Sequence, residues 1–237
     1  MRPPIVGLVD AGFLVRSTST ALKVPAGEVR IEGEELVSWF STSAARMRSG
    51  FLRCYWYDGV YPEGAPLRHR QRTELDRLEA CPGIQLRLGH LQAVPFEHKE
   101  QLKAAARAAG VDYSQLMRHF RLETRYTQKG VDTLMVLDML RFVQQGMTKK
   151  IILVAGDRDL AEAVREVQNM GATVLLAYPQ GAPVAGELAS LADERIAWSA
   201  EVLGRLITRR DDRIAELIVK VLNETNLLTD GTPPLEL

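Results

Sequence analysis

One acidic turn that follows a buried strand constrains this chain more than any other feature. Residues 150–156 form a short, apolar, β-branched run, which predicts a strand buried on both faces. The run leads into Gly156-Asp157-Arg158-Asp159, so two carboxylates come directly after the strand. Because sites in open α/β sheets lie beyond the carboxyl ends of the strands, this turn predicts a functional site.

Two further acids are predicted to reach the same edge of the sheet. Residues 5–10 read as a buried strand that ends at Asp10, and Asp132 stands at the start of a predicted helix over residues 131–143. In a doubly wound sheet, the strand ending at Asp10 and the strand before Asp157 are expected to be neighbours. The sequence thus predicts one cluster of four catalytic and metal-binding carboxylates: Asp10, Asp132, Asp157 and Asp159.

The composition of this cluster suggests its chemistry. Carboxylates about 4 Å apart repel by about 4 kcal/mol at an effective dielectric of about 20, unless one is protonated or a divalent cation binds. Oxygen ligands without His or Cys suit Mg²⁺ or Mn²⁺. Such an ion orients a water molecule and neutralises a phosphodiester, which is the chemistry of a metal-dependent nuclease. For each aspartate alone, a turn or helix cap is the alternative, and Asp159 in particular is placed to cap the helix near Leu160.

Asp138 lies in the same predicted helix as Asp132, about 120° further around its axis. The two side chains therefore do not share a face, and we predict Asp138 as a conditional metal ligand behind the cluster. A buried charge needs partners, so hydrogen bonds within an apolar helix are the alternative.

A basic segment precedes that helix. Lys129 either ends a loop or neutralises a phosphate group. The residues before it are interpreted as a nucleic-acid track or, alternatively, as a solvated face, with one tyrosine available to stack on a base. These predicted substrate-binding residues are Arg118, Arg121, Arg125 and Tyr126.

Strands that alternate with helices predict an α/β fold with a mostly parallel sheet and helices on both faces. Residues 1–200 are predicted as one domain with a helical insertion at about 95–128, and residues 11–32 as a loop or short helix. Residues 201–237 are predicted as an amphipathic helix, over 201–222, and a loose tail; the helix either packs on the domain or forms a homodimer contact. No Gly-x-Gly-x-x-Gly follows the first strand, which disfavours dinucleotide binding.

The composition excludes several classes of protein. The 237 residues are 46% hydrophobic and 25% charged, as expected for a globular protein. No apolar run approaches the roughly 18 residues of a membrane span, and a strand begins too early for a signal peptide, so we expect a cytoplasmic protein. The two cysteines lack the spacing of a zinc site. A net charge of zero argues against indiscriminate coating of nucleic acid, although a local basic face is compatible with RNA binding.

Several motifs together resemble the NYN domain, which belongs with the PIN-like nucleases, in its LabA-type bacterial branch. The resemblance covers roughly residues 4–200, and the Lys-Gly-Val-Asp and Gly-Asp-x-Asp motifs are specific only in combination. The matching segments are Val9-Asp10, Gln128-Lys129-Gly130-Val131-Asp132, Asp138-Met139-Leu140, Val154-Ala155-Gly156-Asp157-Arg158-Asp159-Leu160, Gly171-Ala172-Thr173-Val174 and Leu188 to Asp193.

This resemblance implies a PIN-like three-layer α/β/α sandwich and a Mg²⁺- or Mn²⁺-dependent ribonuclease site. It implies that the cluster of four aspartates surrounds the metal, with Asp138 conditional. The chain departs from the family at two positions. Members of the family often have an Asn shortly after the first aspartate, whereas this chain has Ala11-Gly12-Phe13 there. They also often have a Ser at the position of Ala155.

The leading hypothesis is therefore a metal-dependent endoribonuclease that cleaves RNA, single-stranded or structured. The alternative is a catalytically inactive module of the same fold that binds RNA or a protein. A phosphatase or Toprim-like phosphotransferase using Asp157 and Asp159 is a weaker third hypothesis, because the expected Glu-first arrangement is missing and Asp10 lacks a second Asp two residues on.

Overall fold

The structure, a computed structural model, describes residues 3–94, 99–115 and 126–209. Its strands are β1 (Ile5–Asp10), β2 (Val29–Ile31), β3 (Phe51–Val60), β4 (Ile84–Ala93), β5 (Tyr126–Lys129), β6 (Lys150–Val154), β7 (Thr173–Pro179), β8 (Glu194–Trp198) and β9 (Ile207–Arg209). Its helices are α1 (Ala11–Leu22), α2 (Gly33–Arg46), α3 (Arg68–Glu79), α4 (Lys99–Ala108), α5 (Val131–Gln144), α6 (Ala161–Asn169), α7 (Gly186–Leu191) and α8 (Ala200–Leu206). A 3₁₀ turn, Arg158–Leu160, precedes α6.

Seven strands form the central sheet, in the order β5-β4-β3-β1-β6-β7-β8. All neighbouring strands are parallel except β5, which runs antiparallel to β4. The predicted neighbours β1 and β6 pair directly, with Val9 opposite Val154. Their carboxyl ends therefore emerge side by side, which is the arrangement that the predicted acid cluster requires.

Each face of the sheet carries its own hydrophobic core, and β1 shows why. Ile5 and Val9 belong to the core beneath α1, α2 and α8, whereas Val6 and Leu8 belong to the core beneath α5 and α6. All four side chains are fully buried. The strand has no polar side chain before Asp10, because helices cover both faces of a parallel sheet. The predicted three-layer α/β/α fold, consistent with a PIN-like sandwich, is confirmed.

The segment after β1 is a full helix rather than the predicted loop or short helix. The carboxylate of Asp10 accepts a hydrogen bond from the backbone N–H of Phe13 at 3.0 Å, which caps α1 directly at the end of the strand. The buried face of α1 includes Ser17 and Thr18 beside Phe13 and Leu14. These hydroxyl side chains interrupt the apolar stripe, so the sequence pattern did not predict the full length of the helix.

The predicted continuous helix over residues 201–222 is wrong where the structure describes it. Helix α8 ends at Leu206, and Ile207 adopts an extended conformation with φ −129° and ψ 148°. Strand β9 then pairs antiparallel with β2, and the hydroxyl of Thr208 donates to Glu32 at 2.6 Å. Leu206 is buried, so this part of the chain packs on the domain. Residues 210–237 lie outside the described residues.

Candidate metal centre

Asp10 lies at the junction of β1 and α1, where its side chain is buried. One oxygen, Oδ1, is the helix cap for Phe13. Burial is the largest influence on this carboxyl and raises its pKa. The hydrogen bond from Phe13 and the charge of Arg16 oppose that rise, whereas the charge of Asp157 adds to it.

Asp157 reaches the same place from β6. Its Oδ1 accepts the backbone N–H of Asp159 at 3.0 Å, which begins the 3₁₀ turn. The preceding residue, Gly156, lets Phe13 and Pro183 pack closely against the backbone, because a Cβ there would lie 2.3 Å from the ring of Phe13 and 3.0 Å from the carbonyl oxygen of Pro183. Asp10 and Asp157 line one cavity of about 600 Å³, the Asp10 cavity. Its other lining residues are Phe13, Arg16, Ser17, Thr20, Gly156, Arg158, Pro183, Val184 and Ala185.

Asp132 and Asp159 complete the predicted group of four. Asp132 is half-buried in the first turn of α5. Its pKa is raised first by burial and then by the charges of Asp10, Asp157 and Asp159, in that order. The charges of the other three predicted carboxylates therefore act on Asp132, although the four residues come from three separate segments of the chain.

Asp58 is a further acid at this edge that the sequence reasoning missed. It follows Tyr57, which pairs with Asp10 across β1 and β3. Burial, together with the charge of Asp10, raises the pKa of Asp58 to about 6, against the hydrogen bond from the Gly59 N–H at 2.8 Å. The available signal was the same as for Asp10: an aspartate at the carboxyl end of an apolar, strand-like run.

Two more polar side chains converge beside Asp10, around Gly12. A Cβ built on Gly12 would meet Arg16 Nη1 at 2.8 Å, Asp10 Oδ1 at 3.3 Å and Gln128 Oε1 at 3.3 Å. Gln128 comes from β5, the far edge of the sheet, and its Nε2 is buried without a hydrogen-bond partner among the described residues. The spacing of residues in the sequence does not predict that Gln128 lies near Gly12, because this contact depends on the antiparallel pairing of β5 with β4.

Asp138 does not join this group. Its carboxylate accepts a hydrogen bond from the Tyr57 hydroxyl at 3.1 Å. It also forms ion pairs with Arg87 Nε at 2.8 Å and Arg141 Nη2 at 3.3 Å. Asp138 is only 7% exposed, so this compensation matters for the stability of the fold. The arrangement matches the structural alternative considered for this residue rather than a metal ligand.

The predicted substrate-binding residues are only partly described. Lys129 is exposed at the end of β5, where it is paired with His90 of β4. The ring of Tyr126 lies edge-on to the ring of Tyr61, with centroids 4.9 Å apart and an interplanar angle of 86°. Arg118, Arg121 and Arg125 lie outside the described residues.

The donor set of the cluster fits a hard divalent cation. Within residues 3–94, 99–115 and 126–209, no three acidic, His or Cys side chains form a ready-made metal cage. Magnesium does not require such a cage, since it keeps several waters and is usually held by one or two carboxylates and the substrate phosphate. Asp10 and Asp157 each engage a backbone N–H through Oδ1 and carry a second carboxylate oxygen.

An α/β/α sandwich with acids at the carboxyl edge of its parallel strands is the arrangement expected of a PIN-like nuclease fold. Residues 90–199 match the family model of the NYN domain, which confirms over this range the resemblance predicted from the sequence. The matched range includes Asp132, Asp157 and Asp159. Asp10 and Asp58 lie before it and are joined to the site by the sheet.

Other comparisons add little. A protein of unknown function from Vibrio parahaemolyticus, known from a crystal structure, is similar with a TM-score of 0.49 and 13% sequence identity, over 87% of this chain and 98% of that one. Comparison with curated proteins gives no match. In the described part of the chain, no helix is both long and apolar enough to cross a membrane.

Proposed function

We propose that the chain is a metal-dependent ribonuclease that cleaves RNA phosphodiester bonds at the cluster of Asp10, Asp132, Asp157 and Asp159. One observation carries the proposal: acids from separate segments lie at one sheet edge, where burial first, and then the charges of neighbouring acids, raise the pKa of Asp10 and Asp132. Such repulsion destabilises a fold, so its retention at a cavity is typical of a functional site.

Asp10 and Asp157 would hold Mg²⁺ or Mn²⁺ directly, with Asp132 and Asp159 alongside. When bound, such an ion supplies charge neutralisation to the phosphodiester and lowers the pKa of a water molecule. Within the chain, Arg16 lies beside Asp10, where its guanidinium is placed to contact a phosphate oxygen.

The remaining predicted contacts to RNA extend from this centre. Lys129 supplies an exposed positive charge at the neighbouring sheet edge. The aromatic pair of Tyr61 and Tyr126 offers a surface on which a base can stack. Arg118, Arg121 and Arg125 are proposed, from the sequence, to contact the phosphate backbone.

The decisive experiment is cleavage of labelled single-stranded RNA in Mg²⁺ or Mn²⁺ by the unmodified chain and by Asp157→Asn. Asparagine preserves the cap on the 3₁₀ turn but removes the charge. A matched control is Asp76→Asn, because Asp76 is an exposed α3 residue that pairs only with Arg72 among the described ion pairs. We expect cleavage to be lost in Asp157→Asn and retained in Asp76→Asn.

Three other results would point elsewhere. Cleavage that survives Asp157→Asn would show that this cluster is not the active site. RNA binding without cleavage would favour the inactive binding module. Hydrolysis of p-nitrophenyl phosphate without RNA cleavage would favour the phosphatase hypothesis. A cytoplasmic location and a homodimer through residues 201–237 stay predictions.

A further inference from the structure

A second cavity, of about 320 Å³, lies between α1, β2 and α3, directly beside the acid cluster. We name it the Trp56 cavity. Gly12 and Asp58 line it on the side of the cluster, and Gly12 is the residue around which Asp10 and Arg16 converge. Other lining residues are Val15, Trp56, Tyr61, Leu67, Gln71 and Leu75. A ligand in this cavity would therefore lie next to a phosphate bound at Asp10.

Trp56 lines this cavity and carries an unused hydrogen-bond donor. The residue is 3% exposed, and its indole Nε1 is buried without a hydrogen-bond partner among the described residues. The indole N–H can only donate, so it requires an acceptor. A buried donor without a partner is unfavourable, and a ligand acceptor would remove that cost.

Two of the three arginines that line the cavity are neutralised by ion pairs, and the third, Arg70, donates to the carbonyl oxygen of Gly27, so little positive charge is left for an anionic ligand. Arg30 Nε pairs with Glu74 at 3.1 Å, and Arg77 Nη1 pairs with Glu32 at 2.9 Å. The aliphatic side chains of Val15, Leu67 and Leu75 supply apolar walls. The cavity thus suits a flat, uncharged group that has apolar faces and an acceptor on its edge.

Tyr61, an aromatic residue that lines the cavity, is held in position by Gln71. Gln71 donates from Nε2 to the carbonyl of Gly59 at 2.7 Å and accepts the backbone N–H of Tyr61 at 3.0 Å. This pins Tyr61, whose ring meets Tyr126. A strand of RNA at the acid cluster would pass this aromatic pair.

We propose that the Trp56 cavity binds one nucleobase of the RNA strand, with a base acceptor on the Trp56 indole N–H. The proposal rests on the proposed function and adds a base-binding subsite to it. Nucleobases are flat, carry ring-nitrogen and carbonyl acceptors, and stack on aromatic side chains. The cavity volume is near the lower end of the range of about 300–1,000 Å³ for small-molecule sites, as expected for a single base.

The test compares binding of RNA decamers of A, C or U with binding of a ribose-phosphate decamer that lacks bases. All four probes carry the same backbone charge, and a chelator prevents cleavage while fluorescence anisotropy is measured. We expect the best homopolymer to bind about tenfold more tightly than the baseless chain. Ala26→Trp blocks the cavity from an exposed lining position and should reduce this difference to about twofold or less.

Two variants sharpen the test. Ala197→Trp places the same side chain at an exposed position of β8, which lines neither cavity, and should keep the tenfold difference. Trp56→Phe keeps a ring but removes the N–H, and should weaken binding of the preferred homopolymer about fivefold without changing binding of the baseless chain.

The proposal is overturned if the baseless chain binds as tightly as every homopolymer, if no decamer binds, or if Ala26→Trp keeps the discrimination of the unmodified chain. These outcomes differ from failure of the nuclease proposal. Base-dependent binding without cleavage in Mg²⁺ or Mn²⁺ would overturn only the proposed activity, whereas cleavage with base-independent binding would overturn only the subsite.

Discussion

The chain places buried carboxylates in two opposite electrostatic environments. Asp138 lies beneath the sheet with a tyrosine hydroxyl and two arginines as partners, Arg87 and Arg141. At the carboxyl edge of the sheet, Asp10 is buried and Asp58 is half-buried beside other acids, and burial is the largest cause that raises the pKa of both. Arg16 is the cation that lowers the pKa of both.

This contrast separates an acid that stabilises the fold from the acids that we propose to act in the metal centre. A buried carboxylate with hydrogen bonds and ion pairs stabilises the fold through those partners, and removing it leaves cations without compensation. Buried carboxylates that face one another weaken the fold at neutral pH. A cation or a substrate would relieve that repulsion, so substitutions should have opposite consequences in the two regions.

The largest contrast should appear in RNA cleavage. Asp10→Asn keeps the cap of α1, because asparagine caps a helix about as well as aspartate. It removes a charge from the proposed metal centre and should reduce the cleavage rate by about a thousandfold. Asp138→Asn, compared at equal folded fraction, should change the rate by less than about tenfold. Equal losses in both variants would contradict the separation of the two regions.

Folding stability should show the reverse order. Asp138→Asn leaves Arg87 without its nearest charge partner and should lower the free energy of unfolding by about 3 kcal/mol in urea denaturation. Arg141→Gln is the matched control, because the Arg141 side chain is 53% exposed, and it should cost less than about 1 kcal/mol. A loss below about 1 kcal/mol in Asp138→Asn would show that the network is not structural.

Asp58→Asn should stabilise the fold at neutral pH but not at acidic pH. The pKa of Asp58 is raised from 3.8 to about 6 in the folded chain. At about pH 3.5 both states are mostly protonated, so the variant gains little; between these pKa values the unfolded state loses its proton first, and ionisation increasingly disfavours folding. Above about pH 7 the variant should gain about 3 kcal/mol.

Urea denaturation of Asp58→Asn and of the unmodified chain at pH 3.5 and pH 8, both with a chelator, measures this difference. Asp112→Asn, at an exposed position outside the cluster, serves as the control for the substitution itself. The same gain at both pH values would mean that ionisation of Asp58 does not weaken the fold.

The smallest effect should be stabilisation by the cation. Mg²⁺ at ten times its dissociation constant should add about 1.4 kcal/mol to the free energy of unfolding, which raises Tm by about 3–5 °C in a chain of this size. Asp157→Asn should lose this increase, whereas Asp138→Asn should retain it from a lower starting Tm. Thermal melts with Mg²⁺ and with chelator provide the measurement. An equal rise in both variants would place the cation elsewhere.

Local pattern predicted the strands that matter most. Residues 5–10 and 150–154 are continuous apolar runs, and such runs are strands only when helices cover both faces of the sheet. Their adjacency followed from the topology of parallel sheets. Asp10 and Asp157 were therefore predictable as neighbours, because Asp10 is the last residue of β1 and Asp157 lies three residues beyond the end of β6.

Long-range contacts could not be predicted in the same way. Asp138 differs from the other acids only through Tyr57, Arg87 and Arg141, and Tyr57 and Arg87 lie on other elements. Gln128 approaches Gly12 because β5 pairs with β4. The helical pattern after residue 201 was overridden at Ile207 because β9 pairs with β2, which is distant in sequence.

The sequence by itself determined the alternation of strands and helices, the burial of β1 and β6, and the acids at their ends, because these depend on residue spacing within single elements. Only the tertiary structure decided which acids are compensated and which repel one another. Charge interactions depend on distances between elements, and those distances follow from sheet order and register rather than from any local pattern.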